Sequence, residues 1–239
     1  MTLPEISELY ETVDATWPAA AFGRAGPWLI RDGRGGGKRV SAATLESDFF
    51  PPDIAVGEVA MSALGQTPLF MVRQNEDDLD RALEHQGYSI IDPVSLYACQ
   101  VGALTMNRFT AGGGTTQWPP TGVAKEIWAK GDIGPGRLEV MNRAKGEKSV
   151  ILAQINGATV GVGFAAIAAG IAMVHAIEVT PGLRRRGVGT TILHLAADWA
   201  TKNGCDYVSL VVTDANRPAN ALYSKLGMSL IGSYHYRTK

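Results

Sequence analysis

Thr180-Pro181-Gly182-Leu183-Arg184-Arg185-Arg186-Gly187-Val188-Gly189-Thr190 is the stretch on which the reading of this chain turns. It follows an apolar run, Ile171 to Val179, that reads as a strand. It leads into Val188, Ile192, Leu195 and Trp199, apolar residues at helical spacing that stop at Asn203-Gly204. A strand-to-helix turn of this composition suits phosphate. The first N–H groups of a helix lack intrahelical acceptors and carry partial positive charge, and glycines let a ligand approach the backbone. Arg184, Arg185 and Arg186 add charge-assisted contacts. The dinucleotide fingerprint is not met, because its third glycine and its parallel β-α-β setting are missing. In isolation the same residues also suit a solvated basic loop, so the surrounding pattern has to decide.

Upstream, Ser149 to Ile155, Val160 to Ile167 and Ile171 to Val179 are rich in Val, Ile and Ala. They are separated by Asn156-Gly157 and Ala169-Gly170, joints that make the three an antiparallel meander. Before them, helices are expected at Val123 to Ala129 and, after a Gly-Pro start, at Gly136 to Ala144. Downstream come a strand Tyr207 to Val212, a helix Ala219 to Leu226 ended by Gly227, and a strand Met228 to Tyr236. This order predicts an α/β chain with a mixed, mostly antiparallel central sheet flanked by helices, not a doubly wound one.

Gly112-Gly113-Gly114, running on to Gln117, reads as a boundary between an N-terminal lobe, residues 1–111, and a C-terminal domain, residues 117–239. In the lobe, strands are expected at Trp28 to Ile30, Arg39 to Ala42, Leu69 to Arg73 and Ile90 to Tyr97, with helices at Asp53 to Leu64 and Glu76 to His85. Ala82-Leu83 then Gly87-Tyr88-Ser89-Ile90-Ile91 echoes Leu222-Tyr223 then Gly227-Met228-Ser229-Leu230-Ile231, each behind an asparagine, Asn75 or Asn216. The echo suggests tandem lobes. Gly33 to Gly37 is a second glycine run. The Lys38-Arg39 behind it does not make a P-loop, because no Ser or Thr follows the lysine.

Composition narrows the partners. With 46% hydrophobic and 19% charged residues and a net charge of -1, the chain is of ordinary globular type and gives no electrostatic support for nucleic acid or an anionic membrane as partner. The apolar run Thr159 to Val174 falls short of the ~20 residues that cross a bilayer. The start of the chain lacks a secretory pattern, and Cys99 and Cys205 show no metal-ligand spacing and are expected as reduced thiols. A cytoplasmic location is expected, with no metal.

Arg184-x-x-Gly187-x-Gly189 followed by Asn216-x-x-Ala219-x-x-Leu222-Tyr223-x-x-x-Gly227 resembles the two signature motifs of the GNAT N-acetyltransferase superfamily in spacing, order and intervening elements. The resemblance covers roughly Gly122 to Lys239; Met228 stands where the family usually has an aromatic residue. It implies an acetyltransferase fold with acetyl-CoA as donor, the backbone from Arg185 to Thr190 (Arg186, Gly187, Val188 and Gly189 included) wrapping the pyrophosphate. It further implies that Ile177 to Val179 splay from the neighbouring strand and pair with pantetheine. Asn216 would bond the pantetheine arm, and Tyr223 would point its hydroxyl at the sulfur as the acid.

Transfer to a primary amine, by direct attack with both reactants bound, also needs a base. His175 and Glu178 are the candidates. Strand alternation puts them on opposite faces unless a bulge intervenes. The alternative to an enzyme is an acyl-CoA sensor that keeps the turn and lacks a working base. The acceptor, a small molecule or peptide amine, and the oligomeric state stay open. Tyr234 and Tyr236 share one face of the last strand and His235 and Arg237 the other; one pair could line an acceptor pocket. Trp118 and Trp128 could wall it, with core packing the simpler role. The lobe is expected to extend the sheet and close one side of that pocket as a degenerate relative of the catalytic half.

Overall fold

The computed structural model describes residues 2–46, 51–106 and 113–239. In chain order the elements are α1 (Ile6–Thr16), β1 (Ala21–Ala25), β2 (Trp28–Asp32), a single 3-10 turn Lys38–Val40, β3 (Thr44–Leu45), α2 (Ile54–Ala63), β4 (Leu69–Arg73), α3 (Asp77–His85), β5 (Ser89–Gln100) and α4 (Val101–Met106). They continue with β6 (Gly113–Gln117), α5 (Gly122–Lys130), α6 (Pro135–Arg143), β7 (Lys148–Ile155), β8 (Ala158–Ala168), β9 (Ile171–Val179), a 3-10 turn Pro181–Leu183, α7 (Val188–Lys202), β10 (Tyr207–Thr213), α8 (Arg217–Lys225) and β11 (Ser229–Thr238).

One eight-stranded sheet, in the order β4-β11-β5-β10-β9-β8-β7-β6, runs through both halves of the sequence; β1, β2 and β3 form a separate three-stranded sheet. The large sheet is mixed: β9 and β10 are parallel, and the other strand pairs are antiparallel. Alternation along β7 shows its two covered faces. Ile151 and Ala153 pack with α7 residues such as Ile192 and Ala196, while Val150 and Leu152 pack with Trp128 of α5 and Val140 of α6. Cys99 and Cys205 are free thiols buried in the first of these clusters.

The order of the strands carries the principal surprise. β11 lies between β4 and β5, and β5 lies between β11 and β10, so the units β4-α3-β5 and β10-α8-β11 interleave. The internal echo in the sequence is the local signature of these units. The N–H groups of Gln86 and Tyr88 both bond the Leu83 carbonyl at 3.1 Å, and those of Leu226 and Met228 both bond the Tyr223 carbonyl at 3.1 Å, with Gly87 and Gly227 in the left-handed region at φ 86° and 80°. Leu83 thus occupies in the first unit the place of Tyr223 in the second.

Two expectations need correction. Lys38 to Val40 is a 3-10 turn, not the start of a strand, because the glycines before it reverse the chain and Gly37 sits at φ 96°. Gly113 to Gln117 is not linker but edge strand β6, paired with β7 from Gly113↔Gln154 to Gln117↔Val150; Gly112 and the 111 end of the expected boundary lie outside the described residues. Helix α1 went unread in the sequence. It is docked by Arg31, 2% exposed, whose Nε and Nη2 donate to the two carboxylate oxygens of Asp14 at 3.0 and 2.6 Å.

Candidate active site

β9 and β10 pair in parallel only from Tyr207↔Ile171 to Leu210↔Val174; beyond that the two strands separate. A bulge in β9 lies at the same level. The β8 register moves from Phe164↔His175 to Val162↔Glu178, and Ala176 sits at φ 51°. The extra residue inverts the alternation: Ala172 and Val174 belong to the α7 face before it, Ile177 and Val179 after it. His175 and Glu178 therefore share a face, which alternation without a bulge forbids. Trp128 Nε1 donates to the Ala176 carbonyl at 2.8 Å and holds the bulge; Trp128 is fully buried in the core, and Trp118, partly buried, packs against it on Phe164.

Two cavities meet at this separation. One, of about 1160 Å³, is lined by Ile177 to Val179, Arg184, Arg185, Gly187 to Thr190, Asn216 and Tyr223. On its floor the turn is shaped for an anion. Arg185 and Gly187 are left-handed at φ 63° and 79°, and among the described residues the backbone N–H groups from Arg185 to Thr190 have no hydrogen-bond acceptor, the ladder resuming at Thr191 N–H to Gly187 carbonyl, 3.0 Å. A Cβ at Gly189 would stand 3.0 Å from Leu222 Cδ2, so a side chain there would press on α8. Arg185 and Arg186 are exposed on the turn. Arg184 folds back: its Nη2 donates to Glu178 Oε1 at 2.8 Å and its Nε to the Val179 carbonyl at 3.2 Å. Asn216 caps α8, its Oδ1 accepting from Ala219 N–H at 3.3 Å.

The second cavity, of about 320 Å³, is lined by Trp17, Lys38, Arg39, Asp92, Arg137 and His175 on one side and by Tyr234 and Tyr236 on another. Ile177, Asn216 and Tyr223 line both cavities and form the passage between them. The Tyr223 hydroxyl bonds to no other described residue. Its ring packs 5.8 Å from that of Tyr97, and burial pushes its pKa up to about 12, with a smaller push from Tyr97. His235 and Arg237 point the other way, both to Asp80 Oδ1 at 2.7 Å.

His175 is buried, and both of its ring nitrogens are engaged. Thr16 Oγ1 spends its proton on the Thr12 carbonyl at 2.6 Å, so it accepts from His175 Nε2–H at 2.9 Å. Arg39 Nη1 then donates to His175 Nδ1 at 3.1 Å. This fixes the neutral Nε2–H tautomer and leaves no lone pair for an incoming proton, against the expectation that His175 is a base. Burial, and then the Arg39 charge, hold its pKa well below 6.5.

Below pH 6.5 the unfolded chain binds a proton at this histidine that the folded chain refuses, so His175 leaves stability intact above pH 6.5 and erodes it as the pH falls toward the folded value. The limiting slope is about 1.4 kcal/mol per pH unit. Chemical denaturation from pH 7.5 downward should show a flatter loss for His175→Gln than for the parent; superimposable slopes would contradict the locked tautomer.

Residues 116–228 match the model of the Acetyltransferase (GNAT) family, and the chain carries a domain of that family; it is an acyltransferase. Along 99% of its length it is 24% identical to all of an uncharacterised N-acetyltransferase of Bacillus subtilis, YobR. A shorter segment, 25% of the chain, is 37% identical to 31% of the streptothricin acetyltransferase of Streptomyces lavendulae. In fold the chain is similar to a GCN5-related N-acetyltransferase of Kribbella flavida, with a TM-score of 0.71 over 98% of this chain and 96% of that one at 20% identity. It is also similar to a tandem GNAT protein of the clavulanic acid biosynthesis pathway, with a TM-score of 0.63 over 97% and 87% at 12% identity. Among the described residues no helix is long and apolar enough to cross a membrane.

Proposed function

We propose that the chain transfers an acetyl group from acetyl-CoA to a primary amine, with both reactants bound together. One observation carries the reading: a turn of unpaired N–H groups opens into a cleft that meets a second cavity at Ile177, Asn216 and Tyr223. The backbone from Arg185 to Thr190 would hold the pyrophosphate, with Arg185 and Arg186 as added charge. The unpaired length of β9, Ile177 to Val179, would run along the pantetheine arm, and the Asn216 side chain would bond it. Acetyl-CoA supplies an acyl group already activated as a thioester. The chain's part is to align the amine with it, which by itself removes much of the barrier.

Two charges remain to be managed, the proton on the nitrogen and the negative charge on the sulfur. Tyr223, neutral at working pH, donates a hydrogen bond to the sulfur. With the His175 lone pair occupied and Glu178 tied to Arg184, we give both residues positioning roles, His175 in the cavity wall and Glu178 in the turn. The amine then loses its proton to water in the cavity. Log kcat/KM should rise with pH with unit slope up to the acceptor amine's own pKa, with no inflection near 6.5. A histidine inflection that His175→Gln removes would overturn this assignment. The activity itself is tested by thiol release from acetyl-CoA across a panel of amines; acetyl-CoA binding without thiol release on every acceptor would favour a sensor.

A further inference from the structure

Three cations and one carboxylate line the smaller cavity: Lys38, Arg39, Arg137 and Asp92. Lys38 Nζ is neutralised by Asp92 Oδ2 at 2.5 Å. The two arginines are not neutralised. Arg39 donates to a neutral imidazole, lies 5.9 Å from the centre of the Trp17 ring, and buries an Nε that has no hydrogen-bond partner among the described residues. Among the described residues the Arg137 side chain donates only to the Asp132 carbonyl, at 3.4 Å. No carboxylate pairs with either among the described residues. Burial works against the charge on Arg39, the Tyr234 and Tyr236 hydroxyls beside it push the other way, and the net shift is upward, so the guanidinium stays a cation as arginines do.

A half-buried guanidinium without a counter-charge is costly, and the chain has gone to some length to place this one. The Gly33 to Gly37 run lies directly on the start of α6. A Cβ at Gly36 would stand 2.5 Å from Val140 Cγ2, one at Gly136 would collide with the Gly35 carbonyl, and one at Gly37 would be 3.4 Å from Arg137 Nε. Only glycines let the loop approach that closely, and the approach sets Arg39 and Arg137 on the same cavity. Locking His175 needs one donor from Arg39 and does not explain its buried, unpartnered Nε; Arg137, solvent-exposed where it lines the cavity, adds a second positive charge there.

We propose that the smaller cavity holds an anionic group of the acceptor, a carboxylate or a phosphate, so that the substrate is a small amine carrying its own negative charge. Arg39 and Arg137 hold that group while the nitrogen faces Tyr223, and Trp17, Tyr234 and Tyr236 enclose the carbon frame. The planar guanidinium fork suits either anion. A cavity of about 320 Å³ restricts the acceptor to a small molecule. The substrate assignment rests on the acetyl-transfer reading above; the anion site itself does not.

The test has two arms. In the first, thiol release is followed with amines matched in all but the anion: an amino acid, its amide, and the corresponding phosphorylated amine. The anionic members should show kcat/KM about tenfold or more above the amide, mostly through KM. Arg39→Gln, which keeps a donor for His175, and Arg137→Gln on the surface should each bring that ratio toward one. Whether the carboxylate or the phosphate member wins distinguishes the two anions. In the second arm, calorimetry with CoA saturating measures binding of N-acetylglycine, N-acetylglycinamide and inorganic phosphate. Anion binding that the arginine variants lose, with no thiol release on any amine, would sink acetyl transfer and leave the anion site standing. Preference for neutral or cationic amines, an unchanged ratio in both variants, or equal binding of N-acetylglycine and its amide would overturn the proposal.

Discussion

Residues 113–239 expressed alone are expected to yield aggregated protein that neither binds acetyl-CoA nor releases thiol, although they span the family match at 116–228. Both neighbours of β11 in the sheet, β4 and β5, come from the first half, and β5 is also the outer partner of β10. Without them β11 has no ladder at all, and β10 becomes a long apolar edge carrying Val208, Leu210 and Val212, all buried in the whole chain. The cavity opposite Tyr223 would also lose Trp17, Lys38, Arg39 and Asp92. Solubility, circular dichroism and thiol release on the fragment check this, with co-expression of residues 1–112 expected to restore activity. A monodisperse, fully active fragment would show that the interleaving is dispensable.

Tyr223→Phe is the second large effect. The substitution removes one oxygen and keeps the ring that packs on Tyr97, so the fold and acetyl-CoA affinity should be nearly unchanged while kcat falls about 10²-fold, the usual cost of one donor to a developing charge. A pKa of about 12 makes Tyr223 a poor source of a whole proton for a thiolate, so its contribution is a hydrogen bond. Because the group stays neutral, the ratio of parent to variant rates should be flat from pH 6 to 9. Single-turnover measurements separate this from product release; an unchanged chemical step would remove Tyr223 from the mechanism.

Where the pattern is local, the sequence was a sufficient guide. Val, Ile and Ala runs punctuated by Asn156-Gly157 and Ala169-Gly170 became β7, β8 and β9, with Ile171–Val179 recovered to the residue. The phosphate turn was legible because helix start, glycine spacing and arginines coincide within a few residues. Gly113 to Gln117 was misread because an edge strand needs only backbone partners, and Gly-Gly-Thr-Thr-Gln offers no apolar alternation to announce it. Strand order was not legible: nothing in the spacing of Leu69 to Arg73 says that its partner is Tyr234 to Thr238. The bulge at Ala176 was named only as a condition, since its cause, the buried Trp128 indole on the Ala176 carbonyl, comes from another helix. Trp17, Arg39 and Arg137 went unsuspected as cavity residues. The signal that could have found Arg39 was the Gly33 to Gly37 run, too dense in glycine for a simple surface turn.

The interleaved strands also bear on how the chain reaches this structure. β11 is the last element in sequence order, yet it sits inside the sheet, joining β4 to β5. During synthesis β4 must wait, one flank unpaired, until nearly all of the remaining elements have emerged. Pairings of such large sequence separation slow folding, because chain entropy is lost well before the contacts that compensate it can form. The waiting β4 is short and close to an amphipathic helix, α3, which limits the exposed template. A chaperone requirement, or a folding rate well below that of single-lobe relatives, is the kinetic mark this topology should leave.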